Sequence, residues 1–476
     1  MPARYVLETY LKRKLNPRKL LWNLVGVNPD TPQLWPLSKL AIQDPFHLGR
    51  DREGLFPYEI PNSFRKTHTY IIGKSGKGKS KLLEHMLVTD IMAGRGCCVI
   101  DPHGDLAEDV LSNLHSRGYF NNSESHKRVI YFEPSRSDYT LPFNILNLPY
   151  VASDKLAEQT ITAFKRAWPT LKDGAPRFQD IALPALRVLI EAGQTLVDLR
   201  RFLVDQGHRQ YCISRVADQH LAINWTRDFE SPDVDQLKNI ESVRNKLTPF
   251  VYNTALNRSM RQPTNIFNFK EIMDKQKVLI VNLRGFSDEV KPIWGSMLVM
   301  GFEQSAIMRG ENRTPYYLYL DEFQSYLNGQ GSSETLSNIL SQCRKFGLRL
   351  ILAHQQVSQL STELDGALGN VNVKIVFCSE YPDAKALIHR FWIAEDEALK
   401  VDPLAGVIQK LFDRTALVKM DGFKVAQFVT EPIPPYSTNP DDLEKLKVLL
   451  MATAGGIPAD KLKPAFDAVE NIQFMG

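Results

Sequence analysis

The stretch Thr69-Tyr70-Ile71-Ile72-Gly73-Lys74-Ser75-Gly76-Lys77-Gly78-Lys79-Ser80 constrains this chain more than any other. A short apolar run enters a glycine-rich turn and leaves it as the helical pattern Lys81-Leu82-Leu83-Glu84-His85-Met86-Leu87. Gly73, Gly78, Lys79 and Ser80 fit the spacing G-x-x-x-x-G-K-[ST] of a phosphate-binding P-loop. Glycines let backbone N–H groups curl around phosphate oxygens, and the helix that follows offers the positive end of its dipole. In such a loop Lys79 reaches the β- and γ-phosphates and the Ser80 hydroxyl ligates Mg²⁺. A chance match in a Gly/Lys-rich turn is the alternative, and the strand–loop–helix context disfavours it. The spacing predicts nucleoside triphosphate binding by Gly73 through Ser80. Lys74 and Lys77 either add phosphate contacts or face solvent.

With 476 residues, 43% of them hydrophobic, the chain can bury a large core and divide into more than one unit. A net charge of +4 declares no bulk attraction to nucleic acid, although a local basic face is compatible with it. Cys97, Cys98, Cys212, Cys343 and Cys378 are odd in number and lack C-x-x-C spacing. They suggest neither a disulfide framework nor a zinc site, and they fit a reducing cytosol. No apolar run reaches the ~18 residues of a membrane span. The start, Met1-Pro2-Ala3-Arg4-Tyr5, does not read as a signal peptide. The expectation is a soluble cytoplasmic protein.

Residues 1–45 pair a basic cluster (Lys12, Arg13, Lys14, Arg18, Lys19) with Leu11, Leu15, Leu20, Leu21, Trp22 and Leu24. This is either a membrane- or nucleic-acid-binding arm or, more commonly for such a pattern, a helical extension docked on the core or on a neighbouring subunit. Residues 46–150 carry the P-loop and two further apolar strands, Cys97–Ile100 and Arg128–Phe132. Residues 151–275 switch to helical spacing, which predicts an all-α insertion. Arg200, Arg201, Lys238, Arg244 and Lys246 there either line a nucleic-acid path or form an ordinary solvated face. The α/β rhythm returns over 276–432. Its strands are Lys277–Leu283, Tyr316–Leu320, Leu348–Ala353 and Asn372–Phe377, with a hairpin about Asp421-Gly422. Helices are expected at Pro292–Met308 and Ser333–Phe346, and a mostly helical tail at 433–476. The fold class expected is α/β, with a mostly parallel sheet.

Tyr316–Leu320 ends in Asp321-Glu322. A strand-end Asp suits Mg²⁺ coordination beside a P-loop, and the next carboxylate can deprotonate the attacking water. An acidic turn after a core strand is the plain alternative. Gln355, ending the following strand, can hydrogen-bond the γ-phosphate and the water. Arg344, near a helix end, is either a surface arginine or a residue that reaches a neighbouring subunit's nucleotide. Asp101, after Cys97–Ile100, is a further site candidate or a helix cap.

The P-loop, Ile100-Asp101-Pro102-His103-Gly104-Asp105, Leu320-Asp321-Glu322-Phe323, Arg344-Lys345-Phe346-Gly347 and Ala353-His354-Gln355 together resemble the HerA/FtsK superfamily. Within it the chain is most similar to soluble relatives of the conjugative coupling proteins of type IV secretion. The resemblance spans roughly residues 46–432. It extends to the insertion, with Trp225 and Phe229 ahead of Asn257-Arg258. It implies a RecA-like core, an all-α domain, a ring of six subunits and ATP-driven movement of DNA through the central pore. By motif position it implies phosphate and Mg²⁺ roles for Lys79 and Ser80, and an Mg²⁺ partner and catalytic base in Asp321 and Glu322. Gln355 would be the γ-phosphate sensor and Arg344 the finger. Membrane-anchored coupling proteins begin with transmembrane helices and none is expected here, which either speaks against a direct role as an inner-membrane gate or calls for a partner that supplies the anchor.

Three functions follow from these readings. The leading one is a hexameric DNA-translocating ATPase. The others are a protein-directed secretion or remodelling ATPase, and a nucleotide-gated ring that organises a packaging or defence partner.

Overall fold

The computed structural model describes residues 45–168, 175–229, 240–241, 243–309, 313–327, 340, 343–357, 360, 368, 371–391, 401–420, 423, 425–436 and 438–462. The basic arm expected at 1–45, Lys238, most of the helix expected at 333–346 and the Asp421-Gly422 turn lie outside them. So does the end of the tail.

An eleven-stranded sheet runs through the molecule. Its first half supplies β1 (Pro45–Asp51), β2 (Pro57–Pro61), β3 (Thr69–Ile72), β4 (Gly96–Asp101) and β5 (Val129–Phe132). After the short β6 (Tyr139–Thr140) and a helical stretch come β7 (Val278–Asn282), β8 (Tyr316–Leu320), β9 (Leu348–His354) and β10 (Val373–Val376). The chain closes the sheet with β11 (Thr415–Lys419) and β12 (Ala426–Thr430). The spatial order is β2-β1-β12-β11-β10-β3-β9-β8-β4-β7-β5. From β10 to β5 every neighbouring pair is parallel, and β11, β12, β1 and β2 add an antiparallel flank. The parallel strands are buried along their whole length, as their unbroken apolar runs require.

Helix α1 (Lys79–Met92) follows β3, α2 (Asp105–Ser116) follows β4, and α3 (Lys291–Ile307) follows β7. Helix α3 is buried along nearly its whole length and lies in the core. Between β6 and β7 the described residues hold helices and no strand, among them Ser153–Ala167, Ala175–Glu191, Asp198–Val204 and Gln219–Phe229. Phe164 and Phe250 meet edge to face there, as do Phe202 and Trp225. The helix Pro440–Thr453 is followed by β13 (Ile457–Pro458), which pairs with β6. The tail therefore returns to the core, anchored also by Lys447 to Glu108 (2.7 Å). The second hairpin strand begins at Ala426, later than its apolar pattern suggests.

A buried polar cluster joins the P-loop helix to the sheet. Arg65, 1% exposed, lies in the turn Asn62–Thr67 before β3. Its guanidinium donates to both Asp90 carboxylate oxygens (2.9 and 2.6 Å) and to the Tyr319 hydroxyl (2.8 Å). Tyr319 in turn donates to Asp90 (2.5 Å), and the Arg65 guanidinium stacks against Phe46 and Tyr317. Burial works against the Arg65 charge, but Asp90 and Tyr319 more than offset it, and its pKa is raised. Breaking such a pair strands a charge in the interior. Arg65→Met is expected to cost about 3–5 kcal/mol of unfolding free energy. Lys127→Met, which removes an exposed partner of Glu124, should cost less than about 0.5 kcal/mol. Denaturant unfolding of both variants measures the contrast, and equal effects would contradict it.

Candidate functional site

The strand order decides which residues meet. β9 lies between β3 and β8, in parallel with both. Ile72 is level with His354, Leu352 with Leu320, and Leu320 with Ile100. The P-loop, Gln355, Asp321-Glu322 and Asp101 therefore all emerge at one edge of the sheet. With strands about 4.8 Å apart, the carboxylate-bearing strand stands about 10 Å from the P-loop strand. That gap suits a terminal phosphate, a cation and a water.

The loop itself is shaped by its glycines. A Cβ on Gly73 would fall 2.5 Å from the Phe377 Cβ, and Gly78, with φ 111°, takes the left-handed conformation at the helix cap. The first backbone N–H groups of α1 lack intrahelical acceptors and open toward the loop. Ser75, Gly76 and Ser80 are exposed. Lys79 is buried, and its ammonium donates to the carbonyls of Gly73 (2.6 Å) and Lys74 (3.3 Å). Burial lowers its pKa, with Glu322 and Asp321 pulling the other way.

Lys74 and Lys77 have protein partners. Lys74 pairs with Glu380, and the Lys77 ammonium lies 2.6 Å from Asp413. Backbone bonds from Lys74 N–H to the Cys378 carbonyl (2.9 Å) and from Arg414 N–H to the Lys77 carbonyl (3.0 Å) fasten the same two points. Neither segment announces itself in the sequence. Glu380 and Asp413 read as ordinary loop acids until β10 and β11 bring them to the loop.

Asp321 is buried, and burial together with Asp101 and Glu322 pushes its carboxyl up to about 7. Glu322 has φ 45°, a left-handed conformation that a non-glycine residue avoids unless its surroundings impose it. Both its carboxylate oxygens are taken: Gln355 Nε2 donates to Oε1 (2.7 Å) and Gln324 Nε2 donates to Oε2 (2.6 Å). Gln324, two residues on, carried no signal of its own in the sequence. Asp101 accepts from the N–H groups of His103 (2.9 Å) and Ala107 (3.0 Å), so it caps the start of α2 while its charge acts on Asp321. Arg344 is exposed in the turn Cys343–Phe346, ahead of β9. Gln355 is at the far end of that strand, whose seven residues span about 20 Å. Arg344 is thus remote from its own chain's P-loop.

The donor set fits Mg²⁺. Among the described residues no three His, Cys, Asp or Glu side chains form a metal cage. One hydroxyl (Ser80) and one carboxylate (Asp321) suit a cation that keeps waters and takes phosphate oxygens. A divalent charge there would also relieve the crowding of Asp321 by Asp101 and Glu322.

A family profile described as the type IV secretion-system coupling protein DNA-binding domain matches residues 56–379. The chain belongs to this family. Among solved structures, the unbound bacterial conjugative coupling protein TrwBΔN70 shares 17% identity with a TM-score of 0.59, over 84% of this chain and 92% of that one. The plasmid coupling protein TrwB in complex with ADP and Mg²⁺ gives 17% and 0.58 over the same shares. VirB4 of Thermoanaerobacter pseudethanolicus gives 15% and 0.56, over 84% and 98%. At these identities the likeness is one of fold: a coupling-protein-like P-loop core of the HerA/FtsK type. No curated protein matches the sequence. No helix among the described residues is long and apolar enough to cross a membrane.

The carboxylate crowding has a measurable consequence. Asp321→Asn removes one of three neighbouring acids and should raise unfolding free energy at pH 8, without nucleotide, by about 1–2 kcal/mol. The same change should abolish Mg²⁺-dependent stabilisation by ATP. Thermal melting with and without Mg²⁺-ATP reads both effects, and a lower melting temperature for the nucleotide-free variant would contradict the account.

Proposed function

We propose that the protein is a ring-forming ATPase that moves DNA, with ATP hydrolysed at the P-loop. The observation that carries this reading is the convergence of Lys79, Gln355 and Glu322 on one edge of the sheet, in a member of a DNA-binding coupling-protein family. TrwB structures with ADP and Mg²⁺ and with a non-hydrolysable ATP analogue support the choice of ligand.

In this reading the loop Gly73, Lys74, Ser75, Gly76, Lys77 and Gly78 wraps the phosphates and offers them backbone N–H groups, that of Lys74 staying on the Cys378 carbonyl. Lys79 leaves the Gly73 carbonyl and donates to the β- and γ-phosphates. Ser80 and Asp321 would hold Mg²⁺, which would neutralise charge on the phosphate oxygens. Gln355 transfers its amide hydrogen bond from Glu322 to the γ-phosphate. Glu322, released on that side and still held by Gln324, orients the attacking water and accepts its proton. Arg344, remote from its own loop, serves the nucleotide of a neighbouring subunit, so the complete site lies between two subunits of a ring of six. Asp101 supports the start of α2 and lends its charge to the cation site. We assign the motor core to 46–150 and 276–432, the helical insertion to 151–275, and peripheral segments to 1–45 and 433–476.

ATPase rates without DNA, with single-stranded DNA and with duplex, on protein sized for oligomeric state, test the reading. DNA should stimulate hydrolysis, and the stimulation should fall with salt as phosphate contacts weaken. Glu322→Gln should bind ATP and assemble, yet turn over at least about a hundredfold more slowly. An assembled ring whose rate ignores DNA would overturn the motor.

A further inference from the structure

The triphosphate has a direction in this pocket. Its γ end must face Asp321, Glu322 and Gln355, which lie on the β9 and β8 side of the P-loop strand. The base therefore leaves on the other flank of β3, where β10 and then β11 run.

On that flank Phe412 is 83% exposed, more than any other large apolar side chain among the described residues. It precedes β11 in a short segment fixed at several points. The Arg414 N–H donates to the Lys77 carbonyl (3.0 Å), the Thr415 N–H to the Phe412 carbonyl (3.1 Å), and the Thr430 N–H to the Arg414 carbonyl (2.8 Å). Lys77 also holds Asp413 at 2.6 Å. Arg414 has φ 64°, a left-handed conformation in a residue with a Cβ, so the turn is imposed by these bonds. The Arg414 Cα lies so close to the loop that a Cβ on Gly78 would be 3.1 Å from it. Two residues of chain span at most about 7 Å, which keeps the Phe412 backbone within one nucleoside's reach of the loop.

We infer that Phe412 is the platform on which the base of the bound nucleoside triphosphate stacks. The inference rests on the reading of Gly73–Ser80 as the triphosphate site. An aromatic side chain presented to water from a turn whose backbone is fixed offers a flat apolar face on which a base can stack. Stacking on a ring with no hydrogen-bonding groups accepts any base, so the site grips the nucleoside while discriminating little between adenine and guanine.

Calorimetric titration of the full chain with Mg²⁺-ATP and with Mg²⁺-tripolyphosphate, which has the phosphates and no base, tests this. Phe412→Ala should weaken ATP about tenfold and leave tripolyphosphate unchanged, while Phe412→Trp keeps the wild-type affinity for both. An unaltered ATP affinity in Phe412→Ala overturns the proposal, and a changed oligomeric state alongside it would assign the ring to a contact between copies. Equal weakening of both ligands also overturns it, because the ring would then act through the loop. If the wild-type protein binds neither ligand, the triphosphate reading itself fails.

Discussion

The site depends on the far end of its helix. Arg65, Asp90 and Tyr319 come from the turn before the P-loop strand, the last half of the P-loop helix and the strand that carries Asp321-Glu322. Their shared hydrogen bonds are made away from solvent, where an unmatched charge is costly and a matched one is directional. The cluster therefore fixes the angle between the phosphate-binding element and the carboxylate-bearing strand. Arg349 and Asn62 extend it through the Tyr317 hydroxyl, so β9 is tied to the same cluster.

At the opposite edge the electrostatics are deliberately unbalanced. Asp321 and Glu322 act on one buried ammonium, Lys79, while Asp101 crowds Asp321, and that ammonium is occupied with loop carbonyls. The two glutamines hold Glu322 from both sides. A divalent cation placed there would offset that crowded negative charge. The clips from Lys74 to Glu380 and from Lys77 to Asp413 carry the loop's position to the antiparallel flank and to the turn that displays Phe412.

Much of this was legible in the residues. The glycines, Lys79, Ser80 and the apolar runs ending in Asp101, Asp321 and Gln355 declare themselves because their chemistry is local and their spacing short. The parallel sheet is readable for a related reason, since strands buried on both faces admit few polar residues. What the sequence concealed was pairing across distance. Nothing near Arg65 names Asp90 or Tyr319, nothing near Lys77 names Asp413, and Gln324 looks like any polar residue after a strand. Asp101 shows the limit in another way. Its position at a strand end makes it a site candidate, and its hydrogen bonds make it a helix cap. The tail reads as helical until Ile457 is seen paired with Thr140.

Lys79, Ser80, Asp321, Glu322 and Gln355 gather at one sheet edge, where we propose a Mg²⁺-triphosphate site. A crystal structure of Glu322→Gln grown with Mg²⁺-ATP addresses it directly. Lys79 is expected to move from the Gly73 carbonyl onto the β- and γ-phosphates, with a cation between Ser80 Oγ and the Asp321 side of the pocket and Gln355 on the γ-phosphate. Nucleotide bound elsewhere, with Lys79 still on Gly73 and no cation beside Ser80, would contradict it.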